Sequence, residues 1–239
     1  MMKNLILLTS CLLLSIGGFA QARKVRGNGN VVTKDKRIEA FTKVIVEDGL
    51  DVSLLNNPFQ NKIAITADAN LHQIIDSEIS NGVLTIKIKD GIEIINKTEN
   101  FKVSITSKDI ESFTIKGNSN LVGTGVNEIL KLSLINEGSG SVNLKVKTDE
   151  LKAVNNGSGT ITAEGSSNLV SIKNAGSGNT NLDTVSTFFL EVDSSGSGNV
   201  YTNAVNGIDG TLSGSGNIYY KNTKTVNIET TGSGQVLRQ

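Results

Sequence analysis

The sequence is poor in the residues on which many enzymes and metal sites depend. Its 239 residues include one histidine (His72), one cysteine (Cys11), one proline and no tryptophan. Zinc sites of histidine and cysteine need several such side chains, and Ser-His-Asp or Cys-His catalysis needs a histidine held within a site. His72 is expected on the surface instead, beside the apolar stripe of a short helix. We therefore expect no catalytic residue, no cofactor and no resident metal, apart from the calcium alternative given below.

An excess of charge of one sign is also missing. Lysine plus arginine and aspartate plus glutamate number 23 each. Without the N-terminal leader, which holds Lys3 and no acid, the net charge is about −1. Such a balanced surface gives no electrostatic reason to bind nucleic acid or an anionic membrane. We therefore expect no nucleic-acid partner.

Long apolar runs are confined to the N-terminus. Leu5–Ile16 precedes the small-residue site Ala20–Ala22, a pattern typical of an export signal over residues 1–22. The tetrapeptide Leu8–Cys11 also resembles a lipoprotein cleavage box, so lipidation at Cys11 stays open as an alternative. No later apolar stretch approaches the roughly 18 residues of a membrane span, and we expect no transmembrane segment in the mature chain. The prediction is an exported protein in the periplasm, on the outer membrane surface or outside the cell.

Glycine, in contrast, is abundant and evenly placed. Six Gly-Ser-Gly triplets begin 18 to 20 residues apart, at Gly138, Gly157, Gly176, Gly196, Gly214 and Gly232. A repeat of this length describes one coil of a small β-solenoid. Mostly aliphatic residues lie six and four positions before each first glycine and four positions after it, so each coil is predicted as strand, corner and strand. Glycine suits the corner because it adopts positive φ and lets neighbouring backbones approach closely.

Stacked coils share one narrow core, because a single repeat cannot bury its own apolar edge. We predict an all-β fold, a right-handed parallel β-helix or β-solenoid with coils of about 18–20 residues. Residues 23–239 are predicted to form a single domain, with irregular coils and a cap over 23–110 and regular repeats over 111–239. The third residue after each first glycine is polar, which predicts a hydrogen-bonded ladder along the solenoid axis.

One segment departs from the alternation that is typical of strands. After Asp68, apolar residues recur at helical spacing, at Leu71, Ile74, Ile75 and Ile79. Asp68 is a suitable N-cap, so the pattern predicts one short amphipathic helix near residues 69–78. We expect this helix to cover an end or a side of the solenoid, because terminal coils otherwise present unpaired strand edges.

Two tyrosines occupy the same outward position in successive coils. Tyr201 and Tyr219 each lie five residues after a first glycine, and Tyr220 follows the second of them. Aromatic rings with a polar tip can pack against a sugar, so these three are candidate ligand-binding residues. The alternative is a packing ladder between coils.

Acidic side chains form a second candidate surface. Glu191 and Asp193 share one face of a strand, and Asp209 and Glu229 lie at aligned positions one and two coils later. Neighbouring carboxylates could hold Ca²⁺ or act as a carboxylate pair on a glycan. The alternative is a solvated charged face, near which Lys173 is aligned.

Several segments together resemble a known family. These are Arg37–Val46, Ala67–Leu71, Asn81–Ile86 and the repeated Gly-Ser-Gly-Asn-Val, as in Gly196–Val200. In this combination the chain resembles the putative auto-transporter adhesin family with a head GIN domain, a domain of unknown function common in Bacteroidetes. The resemblance covers most of the mature chain and implies a right-handed parallel β-helix-like fold and an envelope or surface location. The family offers no catalytic residues to transfer.

The residues and the resemblance lead to one functional prediction with two alternatives. We predict an exported, non-enzymatic cell-envelope or surface protein, an adhesin-like binding module whose partner is a cell-surface glycan or a protein. The alternatives are a polysaccharide-acting β-helix enzyme that uses the acidic face and a purely structural envelope component. Because Gln239 follows the last triplet by five residues, we also expect the C-terminal coil to offer a strand edge for self-association.

Overall fold

The computed structural model describes residues 22–55, 60–107 and 109–239, so most of the predicted leader, including Cys11, lies outside the described residues. About 65% of the chain is strand, arranged as a β-solenoid of about seven turns, and the described part contains no helix of seven or more residues. The predicted all-β solenoid is therefore confirmed. Within the described ranges no helix is long and apolar enough to cross a membrane.

The described strands fall into an irregular N-terminal set and a regular repeat set. The N-terminal set is β1 (Arg23–Arg26), β2 (Val31–Arg37), β3 (Lys43–Val46), β4 (Asp51–Leu55), β5 (Lys62–Asp68), β6 (Ile75–Ser80), β7 (Val83–Ile88), β8 (Ile92–Asn96), β9 (Lys102–Thr106) and β10 (Ser112–Ile115). The repeat set is β11 (Asn120–Asn136), β12 (Val142–Asn155), β13 (Ile161–Asn174), β14 (Thr180–Ser194), β15 (Val200–Leu212), β16 (Ile218–Lys221), β17 (Thr225–Thr230) and β18 (Val236–Arg238).

The repeat strands stack in parallel with matching columns. Leu132 aligns with Leu151, Leu151 with Val170, and Val170 with Leu190, and all four side chains are buried. The prediction of two separate strands per coil differs from the structure in one respect. The segment leaving one corner and the segment entering the next run as one strand of 13 to 17 residues in β11 to β15, with a bend between them. Each coil therefore has two edges, the Gly-Ser-Gly corner and this bend.

The corner glycines are required by close packing between coils. A Cβ atom on Gly157 would overlap the backbone oxygen of Gly138, and one on Gly178 would overlap that of Gly159. The other triplet glycines meet the backbone of the preceding coil in the same way. The predicted close approach is confirmed, whereas the predicted positive φ is wrong, because no glycine of the six triplets has a positive φ.

A buried asparagine lies just before three of the corners, and at the first it bonds the backbone of its own corner. Asn136, Asn155 and Asn174, each two residues before a first glycine, are fully buried. Asn136 donates through Nδ2 to the carbonyl of Gly140 (2.8 Å) and accepts the Gly138 N–H at Oδ1 (3.0 Å). This side chain therefore replaces the backbone partners that the corner geometry removes. Asn136, Asn155 and Asn174 recur at 19-residue intervals, the spacing of the first three triplets.

The predicted polar ladder along the axis is also present. The Oδ1 atom of Asn179 accepts the backbone N–H of Asn199 (2.9 Å), and Asn199 accepts that of Asn217 in the same way (2.9 Å). Asn217 then accepts the N–H of Gln235 (2.9 Å). Each amide therefore bonds the backbone of the next coil and not another side-chain amide.

The N-terminal coils continue the stack and then change to antiparallel pairing. On one side the order runs from β11 through β10, β3 and β7 to β6, and on the other through β4, β9 and β5 to β2. The last pairs, β6 with β7 and β2 with β5, are antiparallel. The outermost strand β2 exposes the charged run Lys34–Arg37, and charges on an edge strand discourage further pairing.

The predicted helix near residues 69–78 is wrong. A single 3₁₀ turn spans His72–Ile74, and the following residues form β6, which pairs with β7 from Ile75 to Ser80. Ile75 and Ile79 are four residues apart, a spacing that fits one face of a helix and one face of a strand equally well. Pairing with β7 decides for the strand, which β-branched isoleucine also favours.

Asp68 has another role than the predicted helix cap. Its carboxylate is buried and accepts the backbone N–H of Gly29 (2.8 Å), the backbone N–H of Thr98 (2.9 Å) and the Thr98 hydroxyl (2.7 Å). Gly29 follows β1, and Thr98 follows β8, its parallel partner in a separate two-stranded sheet. One carboxylate therefore holds the ends of both strands of this small sheet.

Candidate functional site

The two predicted tyrosines form a stacked pair. Tyr201 and Tyr219 are aligned in β15 and β16, and their rings lie 4.8 Å apart with planes 7° from parallel. The hydroxyl of Tyr219 accepts the Nδ2 donor of Asn217 (3.2 Å). Each ring therefore covers one face of the other, as in a packing ladder. Tyr220 does not join the pair, because it points to the other side of the strand and packs against the core.

The predicted acids lie in two neighbouring columns. Glu191 is aligned with Asp209, whereas Asp193 is separated from Glu229 by Thr211. The structure therefore brings one pair of the four together.

Their hydrogen bonds are those of an exposed polar face. Asp209 accepts the Nδ2 donor of Asn227 (3.0 Å), and Asp193 accepts the hydroxyl of Thr211 (3.2 Å). All four predicted acids are exposed. In the described part of the chain, no three side chains of His, Cys, Asp and Glu are grouped so that they could hold a metal ion.

His72 is less exposed than predicted. It lies in the 3₁₀ turn, is half-buried, and has Nε2 at 3.0 Å from the carbonyl oxygen of Val32. The contact joins the turn to the edge strand β2. His72 therefore has a local structural partner within the N-terminal coils.

The bends are held by a row of buried hydroxyl groups that the sequence reading missed. Thr148 donates to the carbonyl of Glu150 (2.7 Å), Ser167 to that of Leu169 (2.8 Å), and Thr187 to that of Phe189 (3.0 Å). A hydroxyl that bonds its own backbone two residues later stabilises a local turn. The hydroxyls recur at 19 and 20 residues, the period of the triplets, so the signal was in the sequence.

Large apolar side chains are exposed along this bend edge, which we define as residues 130–131, 149–150, 168–169, 188–189 and 205–206. The exposed fractions are 72% for Leu130, 54% for Phe188, 44% for Phe189, 41% for Val205 and 36% for Leu169. The rings of Phe188 and Phe189 meet edge to face, with centroids 4.9 Å apart and planes at 86°. Apolar groups gathered along one edge make it a candidate interaction site.

A shallow groove of about 610 Å³ runs along one flank of the bend edge. Its lining crosses five successive coils, at 128–130, 147–149, 166–168, 186–188 and Val205. In its middle, Asn168 donates through Nδ2 to Oδ1 of Asp149 (3.0 Å). Lys147 and Glu128 form an exposed ion pair at 3.5 Å on the same flank. The groove therefore combines an aromatic surface with fixed polar groups, and it contains none of the residues predicted from the sequence.

Comparison with known proteins places the chain among similar folds. Residues 40–224 match the model of a family described as "Putative auto-transporter adhesin, head GIN domain". A crystal structure described as a "putative adhesin" from Bacteroides fragilis is similar with a TM-score of 0.86 and 20% identity, covering 90% of this chain and all of that one.

Two further crystal structures are similar over 91% of this chain and the whole of theirs. A "putative adhesin" from Parabacteroides merdae has a TM-score of 0.69 and 26% identity. A "putative lipid binding protein" from Parabacteroides distasonis has a TM-score of 0.77 and 20% identity. No curated protein matches the sequence.

Proposed function

Because this chain belongs to the putative auto-transporter adhesin family with a head GIN domain, we propose that it is an exported, non-enzymatic binding module of the cell envelope or surface. The observation that carries the proposal is the bend edge. Five large apolar side chains are exposed there. A stack of paired parallel strands that presents such an edge suits recognition of an external partner.

The acidic face is a weaker candidate for binding than the bend edge, and its geometry does not favour catalysis. Two of its carboxylates already accept hydrogen bonds from neighbouring side chains, Asn227 and Thr211. Only Glu191 and Asp209 are aligned as a pair, and both are exposed to water. A glycosidase acid needs a raised pKa, which burial normally provides. We therefore assign the acids to a solvated surface.

The proposal is tested by offering partners of three classes to the purified mature chain, beginning at Arg23. Immobilised glycans, purified envelope and matrix proteins, and liposomes are presented with and without calcium. Liposomes are included because one similar structure is described as lipid binding. Selective and saturable retention by one class is the expected result. No retention by any class would contradict the proposal and favour a purely structural role.

A further inference from the structure

We infer that the groove at the bend edge is a glycan-binding site, in which Phe188 packs against a sugar ring while Asp149 and Asn168 bond its hydroxyl groups. The ligand class is an uncharged oligosaccharide. The inference rests on the proposed function, because it names the partner of the surface that carries that proposal.

The three residues lie in one column of the stack. Thr148 is aligned with Ser167, and Ser167 with Thr187, so the residues that follow them occupy successive coils at one position of the bend. Coils repeat at about 4.8 Å, which places Asp149 and Phe188 about 10 Å apart with Asn168 between them. Thr148, Ser167 and Thr187 directly precede the three column residues, and their buried hydroxyls fix the backbone of the turn. The column is therefore presented outward on a fixed backbone.

The aromatic member is held in place by its neighbour. Phe189 lies over Gly207 in the next coil, where even a Cβ atom would come within 3.5 Å of the ring. Phe188 meets Phe189 edge to face and remains 54% exposed. A braced, half-exposed ring offers an apolar surface at a low cost in side-chain entropy. The C–H face of a pyranose is a suitable partner for such a surface.

The polar members keep free hydrogen-bonding capacity beside this ring. The bond between Asn168 and Asp149 uses one N–H of the amide and one carboxylate oxygen. Asn168 retains an N–H donor and its Oδ1 acceptor, and Asp149 retains Oδ2. Sugar hydroxyls both donate and accept, so adjacent hydroxyls can be bonded by this pair. The bond between the two side chains also fixes their relative orientation before a ligand arrives.

We expect recognition here to use side chains, because the strands on both sides of the column are already paired. The backbone on both sides of this column is paired with the coils above and below, as in the ladders of β12 with β13 and of β13 with β14. An extended peptide cannot add as a strand where no strand edge is open. A rigid row of side chains is suited instead to a ligand with its own repeating hydroxyl groups.

Charge selects the ligand class within the glycans. Glu128 and Lys147 are paired with each other, and Asp149 has no lysine or arginine partner in the described part of the chain. The groove therefore carries one net negative charge, which disfavours sialylated or sulfated glycans. Insertion into a lipid bilayer is also disfavoured, because it would remove the Asp149 carboxylate and the Glu128–Lys147 pair from water.

The test uses the full mature chain on an array of neutral, sialylated and sulfated oligosaccharides, followed by calorimetric titration of the neutral oligosaccharide retained best. We expect Phe188→Ala and Asn168→Ala each to weaken binding about tenfold, and Phe188→Tyr to keep it within about threefold. Tyr201→Ala is the matched control, since it removes an aromatic ring from another face of the same solenoid. Melting curves show whether each variant is folded.

The outcomes separate the inference from the proposed function. The inferred site is overturned if neutral-glycan binding is unchanged by Phe188→Ala and by Asn168→Ala, or if it is lost in Tyr201→Ala. The proposed function as a binding module would still stand. Retention only by charged glycans, by proteins or by liposomes of phosphatidylethanolamine and phosphatidylglycerol overturns the ligand class and also leaves a binding module. No retention in any arm overturns both.

Discussion

The two edges of each coil are built on different principles. At the corner edge, the neighbouring backbone occupies the space in which a side chain would begin, so glycine is required on both sides of each serine. At the bend edge of three successive coils, a buried hydroxyl stabilises the turn, and the next two positions point to solvent. The corner therefore specifies the fold, while the bend leaves room for residues such as Phe188 that the fold does not need.

The largest effect is expected from a methyl group at the corner. Gly157→Ala would place a Cβ atom against the backbone oxygen of Gly138, so one of the two backbone segments must shift from its stacked position. We expect a loss of about 3 kcal/mol or more in the free energy of unfolding, measured by urea denaturation. Ser158→Ala at the exposed tip of the same corner is the control, with a change within about 0.5 kcal/mol. Equal stability of the two variants would show that the corner is not sterically specified.

A smaller loss is expected when a buried amide of the corner is removed. Asn136→Ala leaves the Gly138 N–H and the Gly140 carbonyl without their partner. We expect a loss of about 1–3 kcal/mol in the free energy of unfolding. The exposed Asn156→Ala, one coil later, should change it by less than about 0.5 kcal/mol. An unchanged free energy of unfolding in Asn136→Ala would mean that the corner does not depend on its buried asparagine.

At the bend edge, removal of one hydroxyl should cost less. The single hydroxyl proton of Ser167 is shared between the carbonyl oxygens of Leu169 (2.8 Å) and Asp149 (3.3 Å). Ser167→Ala removes this bond, while the strands on both sides of the bend remain paired. We expect a loss of about 1 kcal/mol in denaturant melts. Ser166→Ala, which is exposed, serves as the control. A loss as large as that of Gly157→Ala would remove the distinction between the edges.

Low pH should destabilise the N-terminal coils more than the repeats. The corner and bend edges of the repeats are held by groups that do not titrate in acid. The pKa of Asp68 is lowered, mainly by the hydroxyl and backbone N–H of Thr98, which stabilise its charged form. Its contribution is therefore complete above the unfolded-state pKa, near 3.8, and is lost as the pH falls through the lower folded-state pKa. Hydrogen exchange of β1 should accelerate in acid relative to that of β13.

Asp68→Asn separates this effect from general acid unfolding. The variant should show low protection of β1 already at neutral pH, with little further change in acid when each rate is divided by the intrinsic exchange rate at the same pH. If β1 and β13 lose protection together in the unmodified protein, the Asp68 carboxylate is not what holds the N-terminal sheet.

The smallest effect on stability is expected for the exposed ring of the bend edge. Phe188→Ala removes a side chain that is 54% exposed, so the free energy of unfolding should change by no more than about 0.5 kcal/mol. The measurement is denaturant unfolding of Phe188→Ala and, for comparison, of Leu190→Ala. Leu190 is a buried residue of the same strand, and its truncation should cost about 2–5 kcal/mol. A comparable loss in both variants would make Phe188 a structural residue.

The repeat architecture could be predicted because the triplets recur at an even spacing and mostly aliphatic residues occupy the same positions around each of them. The triplet spacing alone set the coil length, and the aliphatic columns then located the core. The bend surface was missed because Phe188 and Phe189 interrupt the alternation in one coil only, so no repeating pattern marks them. The helix was wrongly predicted because Ile75 and Ile79 satisfy both periods, and only pairing with β7 decides between them.

The direction of the bonds between coils determines how the protein would carry mechanical load. Bonds such as the one from the Val142 N–H to the Thr160 carbonyl (2.9 Å) join one coil to the next and therefore run along the solenoid axis. A pull along the axis would open these bonds coil by coil, as in unzipping. A pull on a ligand held at the bend edge acts across the axis, along the strands, and so loads whole ladders in shear. A ligand at the bend edge, where binding is proposed, would therefore load the stack in its stronger direction.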